Sequence, residues 1–264
     1  MLGAIRYAIV DMDGVFYRGN NSLPGLREFF DFLNQHRIKY LLVTNNSTMS
    51  SADYNLKMAK MGVNVPVELI VTSGEATAQW VRKTAPDGAG IFVIGEPPLR
   101  EALLTADGRY YWDDQNPRFV VQGADFHLVY ESVRRACLLI RKGAQFVVTN
   151  ADPVFPSEEG LIPGAGSVGA LLRTATGQEP FVVGKPEPTM YKMALEQLGA
   201  DLSQTVMIGD NLVTDIEGAN RLGLKTILTL SGVTNQQEAE SSPIKATENY
   251  QGLPELTAVW KNCL

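Results

Sequence analysis

Short apolar runs alternate with amphipathic stretches along much of the chain. Residues 7–10 read as a strand, 26–36 as a helix with one apolar face, 38–43 as a second strand, and 52–61 as a second helix closed by Gly62. The last third repeats the alternation. Residues 181–183, 205–208 and 225–230 read as strands, and between them lie helices over 189–198, ending at Gly199, and 213–222, ending at Gly223. Strands apolar along their whole length suit a parallel sheet buried on both faces, and strand–helix alternation supplies its right-handed crossovers. The pattern predicts an α/β fold, a doubly wound, Rossmann-like parallel sheet to which both ends of the chain contribute.

About 140 residues separate Thr44 from Lys185, far more than neighbouring strands need as a connection. They predict a smaller α/β cap domain over 85–178, inserted into a core domain of 1–84 and 179–264. Turn-rich segments mark its edges, Ala85-Pro86-Asp87-Gly88 on entry and residues 176–180 on exit. Inside it, 91–94, 119–122 and 145–149 read as strands and 99–104, 131–142 and 168–173 as helices. Residues 234–243 are polar and read as a loop or a short capped helix.

Four polar clusters follow strand-like runs. They are Asp11-Met12-Asp13-Gly14, Thr44-Asn45-Asn46, Gly184-Lys185-Pro186 and Gly209-Asp210-Asn211. An extended backbone sends alternate side chains the same way, so Asp11 and Asp13 can aim two carboxylates at one point beyond a strand end. Ligands of open α/β sheets bind outside the carboxyl ends of the strands, where all four clusters are expected. Taken singly, each cluster is a common turn, cap or surface charge. Together, in order and at four strand ends, they make a site.

Composition narrows the ligand. A formal net charge of −6 argues against a nucleic-acid polymer or an anionic membrane as partner. Cys137 and Cys263 are too few for a disulfide framework. No apolar stretch approaches the roughly 20 residues of a membrane span, and residues 1–10 carry no targeting pattern, so a cytoplasmic protein is expected.

Clustered carboxylates with one lysine suit phosphoryl transfer, in which charge spreads over three equatorial oxygens and catalysis is mostly positioning and charge compensation. Asp11 is the candidate nucleophile, since a carboxylate can attack phosphorus to form an aspartyl-phosphate. Asp13 is the candidate acid and base at the leaving oxygen and the attacking water. Asp11 and Asp210 suit Mg²⁺, which takes one or two carboxylates near a phosphate. Lys185, Thr44 and the amides of Asn45 and Asn46 are candidates for holding the phosphoryl oxygens. Asp215, and Asn211 beside it, stand behind these groups; Asp215 can orient either Lys185 or a metal-bound water.

With these residues the chain resembles the haloacid dehalogenase superfamily, and within it the NagD-like, 4-nitrophenylphosphatase-like branch with a large C2-type cap. Residues 149–152, 163–167 and 231–234 extend the resemblance over almost the whole chain. It implies a Mg²⁺-dependent phosphatase acting on small phosphate esters, with the Asp11 carboxylate, the Asp13 backbone carbonyl and the Asp210 carboxylate as metal ligands. A cap-mediated homodimer is compatible with it.

Two other classes compete. Gly164-Ala165-Gly166-Ser167-Val168-Gly169 matches a dinucleotide fingerprint and suggests an NAD(P)-dependent oxidoreductase, although no buried strand precedes it. A non-enzymatic phospho-acceptor also gathers aspartates and a lysine at strand ends, but has no use for the inserted domain. Asp125, His127, Tyr130, Asn150, Asp152 and Phe155 are candidates for substrate selection by the cap. The run Tyr110-Tyr111-Trp112 reads as cap packing.

Overall fold

Uninterrupted apolar runs become central strands. The computed structural model describes every residue except Glu158. The chain forms two compact units, one of Met1–Thr44, Ser51–Val71 and Lys185–Leu264, the other of Asn45–Ser50 and Thr72–Gly184.

The first unit holds a six-stranded sheet ordered Glu248–Tyr250, Lys225–Thr229, Thr205–Gly209, Tyr7–Asp11, Lys39–Thr44, Ile70–Thr72. The pairings from Glu248–Tyr250 across to Lys39–Thr44 are parallel. Ala8, Ile9, Val10, Leu41, Leu42, Val206, Met207 and Ile208 are all buried, because helices cover both faces. The helix Leu26–Gln35 buries Leu26, Phe29, Phe30, Phe32 and Leu33. Phe30 meets the rings of Phe16 and Tyr40 at 5.1 and 5.3 Å, and Phe32 meets Trp260 of the helix Leu253–Lys261 at 5.4 Å. The indole of Trp260 donates to the Leu2 carbonyl at 3.1 Å, so this large buried side chain leaves no polar atom unpaired.

Strand order reverses at Tyr7–Asp11. The chain moves outward to Lys39–Thr44 on one side, and the later strands add from Thr205–Gly209 on the other. Such a switch point opens a crevice at the carboxyl ends of the two strands. Register sets what lines it. Asp11 pairs with Val43 and Val10 with Ile208, which places Thr44 and Asp210 one step beyond the level of Asp11 on its two neighbours.

The second unit is a five-stranded parallel sheet ordered Phe181–Val182, Gln145–Val148, Phe119–Gln122, Ala89–Ile94, Tyr110–Trp112. Phe92, Ile94, Val120, Phe146 and Val148 pack under Val133, Ala136, Leu139 and Ile140 of the helix Tyr130–Arg141 and Leu172 of the helix Ala165–Thr176. On alternate strand positions Phe119 and Phe181 meet Trp80, whose ring stacks on Phe181 at 4.4 Å. The helix Ser73–Thr84, which carries Trp80, and residues 179–184 cluster with this unit, although both lie on the core side of the boundaries expected from sequence.

Two elements differ from expectation. Residues 181–183 were expected as a strand of the core sheet; Phe181–Val182 is instead the edge strand of the second sheet, held by the Trp80 stack and by Val183 N–H donating to the Val148 carbonyl at 3.1 Å. The helix expected over 213–222 opens as a π-helix, Leu212–Glu217, before its α-turn Gly218–Arg221; Asn211 Oδ1 caps the Val213 and Thr214 amides at 2.9 and 3.2 Å, and the Asn211 carbonyl accepts from Ile216 N–H, five residues on, at 3.3 Å. The run at residue 110 packs in the second unit as expected, as an edge strand with Tyr110 buried and the half-exposed Trp112 ring 4.8 Å from that of Phe92.

The glycine fingerprint also resolves. Gly160–Pro163 is an exposed hairpin strand paired antiparallel with Val154–Ser157, so no buried parallel strand feeds the turn. A Cβ at Gly164 would lie 2.5 Å from the Asp152 carbonyl oxygen, and one at Gly166 would lie 2.2 Å from that of Ala151. Close approach of the chain to itself accounts for both glycines. Residues 234–243 contain a short helix, Gln236–Ser241, with an Asn235/Glu238 capping box.

Candidate active site

Lys185 organises the acidic crevice of the first unit. It is 2% exposed, and its Nζ lies 2.5 Å from Asp11 Oδ1 and 2.6 Å from Asp215 Oδ1. Burial alone would lower the lysine pKa, but Asp11 and Asp215 outweigh it and hold the ammonium above its ordinary value. Lys185 is therefore a fixed charge. Asp215 is fixed as well, since its other oxygen accepts from the Asn211 amide at 3.1 Å. In the turn that holds it, the Asn211 carbonyl accepts from Asp215 N–H at 3.0 Å and, across the five residues of a π-turn, from Ile216 N–H at 3.3 Å.

Asp210 follows the strand Thr205–Gly209 and is 4% exposed. Its Oδ2 accepts from the Val233 amide at 2.6 Å, and its backbone carbonyl accepts from Thr234 at 3.1 Å. Residues 231–234 thus form one wall of the crevice. Ser231 ties that wall to the first strand end by donating to the Gly14 carbonyl at 2.8 Å. Two glycines make room for the carboxylate: a Cβ on Gly232 would lie 1.8 Å, and one on Gly14 2.1 Å, from Asp210 Oδ2. Gly14 also has φ +79°, a conformation that favours glycine.

Carboxylate oxygens of Asp11, Asp210 and Asp215 all lie within 4.8 Å of one another. Three buried carboxylates face one buried ammonium, leaving a formal excess of two negative charges. Burial, with the neighbouring acids, raises Asp11 well above the usual carboxylate range against the pull of Lys185, and pushes Asp210 up to about 7. Asp11 Oδ2 and Asp210 Oδ1 accept from no donor among the described residues. A divalent cation fits this set in charge and in free oxygen ligands.

Asp13 lies at the rim of the cluster, where its charge acts on Asp210. It is exposed, it bridges to Tyr17, and its pKa is raised by partial burial against the opposing pull of Lys57. Thr44 ends the neighbouring strand, buried.

Asn45 and Asn46 belong to the second unit, and their side chains serve local structure. Asn45 donates to Asp152 Oδ2 at 3.0 Å, while its carbonyl accepts from Asn150 at 2.6 Å and Ser73 at 2.5 Å. Asn46 accepts from the Thr48 amide and hydroxyl, both at 2.8 Å. Asn150 and Asp152, expected as selectors of substrate, are thus joined to Asn45. Asp125 accepts from the His127 amide at 2.9 Å, and Phe155 meets Phe126 edge-on at 5.2 Å. Tyr130 is 81% exposed at the start of its helix.

Lys57 escaped the sequence reading, and Val233 entered it only as part of the 231–234 resemblance, with no role. Val233 offers only an amide, which no side-chain pattern can advertise. Lys57 sits four residues from Asp53, a spacing that reads as an ordinary helix-surface pair.

A doubly wound sheet with buried acids and a lysine at its switch point defines an enzyme that works on an anionic substrate at the carboxyl strand ends. The chain belongs to the haloacid dehalogenase-like hydrolase family, whose pattern matches residues 8–108; a second pattern, "HAD-hyrolase-like", matches residues 182–256. It is 36% identical over 252 residues to dihydroxyacetone phosphatase of Corynebacterium glutamicum, covering 96% of this chain and 90% of that one. It is 37% identical over 245 residues to acid sugar phosphatase of Staphylococcus haemolyticus, covering 93% and 92%. The crystal structure of 4-nitrophenylphosphatase from Thermotoga maritima superposes with a TM-score of 0.92 at 36% identity, covering 97% of this chain and 98% of that one. By this likeness the second parallel sheet is the family's cap domain.

Proposed function

We propose that the protein is a Mg²⁺-dependent phosphatase of small phosphate monoesters, sugar phosphates and nitrophenyl phosphate among them. The convergence of Asp11, Asp210, Asp215 and Lys185 at the switch point carries this reading. The relatives named as phosphatases support it.

Asp11 is the nucleophile. One oxygen of its carboxylate attacks phosphorus in line with the departing alkoxide, and the Lys185 ammonium, 2.5 Å from Oδ1, fixes the carboxylate in place. Lys185 holds the ammonium that offsets repulsion between Asp11 and the incoming dianion. Asp13, whose partial burial raises its pKa, gives a proton to the leaving oxygen, and its carboxylate then takes one from the water that opens the aspartyl-phosphate. Asp215 and Asn211 fix the position of Lys185. Thr44 and the amides at Asn45 and Asn46 bind the phosphoryl oxygens. The Asp11 and Asp210 carboxylates and the Asp13 carbonyl would hold Mg²⁺, which when bound neutralises charge developing on the transferring group.

The cap candidates Asp125, His127, Tyr130, Asn150, Asp152 and Phe155 select the organic part of the ester. No helix of the described chain is long and apolar enough to cross a membrane. Hydrolysis of p-nitrophenyl phosphate with Mg²⁺, abolished by chelation and restored by adding the ion, is the expected result. Turnover indifferent to chelator would contradict the metal, and Asp11→Asn retaining turnover would remove Asp11 as nucleophile.

A further inference from the structure

The helix Ser51–Lys60 carries two lysines in its last turn. Lys60 is exposed and meets the negative helix end in water. Lys57 is half-buried, with its ammonium 3.8 Å from the centroid of the Tyr17 ring and 6.0 Å from that of Tyr54. Tyr17 is itself buried and tied to the catalytic strand end: its carbonyl accepts from Gly14 N–H at 2.8 Å, and it bridges Asp13. The ring therefore anchors Lys57 on the Asp13 side of the crevice, and the Asp13 charge acts on the lysine.

The aromatic contacts satisfy the ammonium only in part. No hydrogen bond or ion pair engages Lys57 among the described residues, which leaves its three N–H donors to solvent or to a ligand. Partial burial weakens its charged form, a penalty that an anionic partner would remove. Lys185 cannot supply such a contact, because Asp11 and Asp215 already hold it.

We propose that Lys57 determines specificity by binding a second anionic group, a carboxylate or further phosphate, on the alcohol part of the substrate. The proposal rests on the assignment of Asp13 as the acid that meets the leaving oxygen. A cation beside Asp13 then faces the atoms attached to that oxygen, whereas the transferring phosphoryl belongs to Lys185.

The test compares kcat/KM for 2-phosphoglycolate and for ethyl phosphate, which lacks the carboxylate, in the parent enzyme, Lys57→Met and Lys57→Arg. A hydrogen-bonded charge contact contributes about 1.5–3 kcal/mol, so the ratio of the two constants should fall at least ~10-fold in Lys57→Met, with most of the change in KM. Lys57→Arg, which keeps the charge, should restore much of the ratio. A parent that does not favour the carboxylate ester, or a ratio left unchanged by Lys57→Met whether overall activity falls or stays, overturns the assignment. A parent inert toward p-nitrophenyl phosphate removes the phosphatase reading itself. An unchanged ratio in an active enzyme removes only Lys57.

Discussion

Replacing Lys185 by methionine isolates the ammonium from the rest of the crevice. Methionine keeps an unbranched apolar stem of similar reach but leaves Asp11, Asp210 and Asp215 facing one another with no cation between them. Removing one partner of a buried ion pair typically costs about 3–5 kcal/mol, because the remaining charge stays desolvated and unpaired. For a chain of this size each kcal/mol moves the melting temperature by roughly 2–4 °C, so a drop of about 10 °C is expected at pH 8 without divalent cation. At pH 5 the difference should shrink, since protonation relieves the unpaired carboxylates. Saturating Mg²⁺ at pH 8 should recover part of the loss. Calorimetry under these three conditions is the assay, with circular dichroism at 20 °C to confirm a folded variant. Phosphatase turnover should fall at least ~100-fold, the scale of losing one preorganised charge contact to the reacting group. A variant melting within a degree of the parent at pH 8 in chelator would refute the view that Lys185 offsets the three acids.

Further outcomes follow from the same geometry. Asp210 has its native pKa pushed up to about 7 from an ordinary 3.8, so the folded state binds its proton more tightly than the unfolded chain. Metal-free stability should therefore fall as pH rises from about 4 to about 7 and level off above, by on the order of 4 kcal/mol for this group. Urea titrations in chelator should show a shallower slope for Asp210→Asn, and equal slopes would contradict the shift. Gly232→Ala places a methyl against Asp210 Oδ2 and should raise the Mg²⁺ concentration for half-maximal activity at least ~10-fold, read by metal titration of turnover. Asp13→Asn should slow hydrolysis of ethyl phosphate by ~100-fold or more and p-nitrophenyl phosphate much less in the phosphorylation step, because nitrophenolate leaves without a proton. Rapid-quench measurement of phosphoenzyme formation separates the two, and equal losses would contradict the acid role. Trp80→Ala removes the stack on Phe181 and should destabilise the second unit by about 3–5 kcal/mol, seen as earlier loss of protected amides in 89–94 and 145–148 under hydrogen exchange.

Much of this architecture is legible in the order of residues. Apolar runs such as Val206-Met207-Ile208 must lie in a sheet covered on both faces, and glycines after amphipathic stretches end helices, so the doubly wound fold follows from local chemistry. The strand-end placing of Asp11 and Asp210 follows too, because a polar cluster after a buried run can only emerge at its edge. The strand Phe181–Val182 could not be assigned to its sheet in this way. Its pattern is the same in either sheet, and the choice was made by the Trp80 ring, a partner about 100 residues away in the chain. Likewise the sequence named Lys185 and Asp215 as charges, but only the fold paired them, through a π-turn whose amides donate to Asn211. Lys57 was invisible for the opposite reason: its spacing on the helix is ordinary, and its place beside Asp13 depends on the Tyr17 ring. Periodicity records which face of an element is buried. Which elements meet, and which charges then lack a partner, is decided by long-range packing that no local pattern encodes.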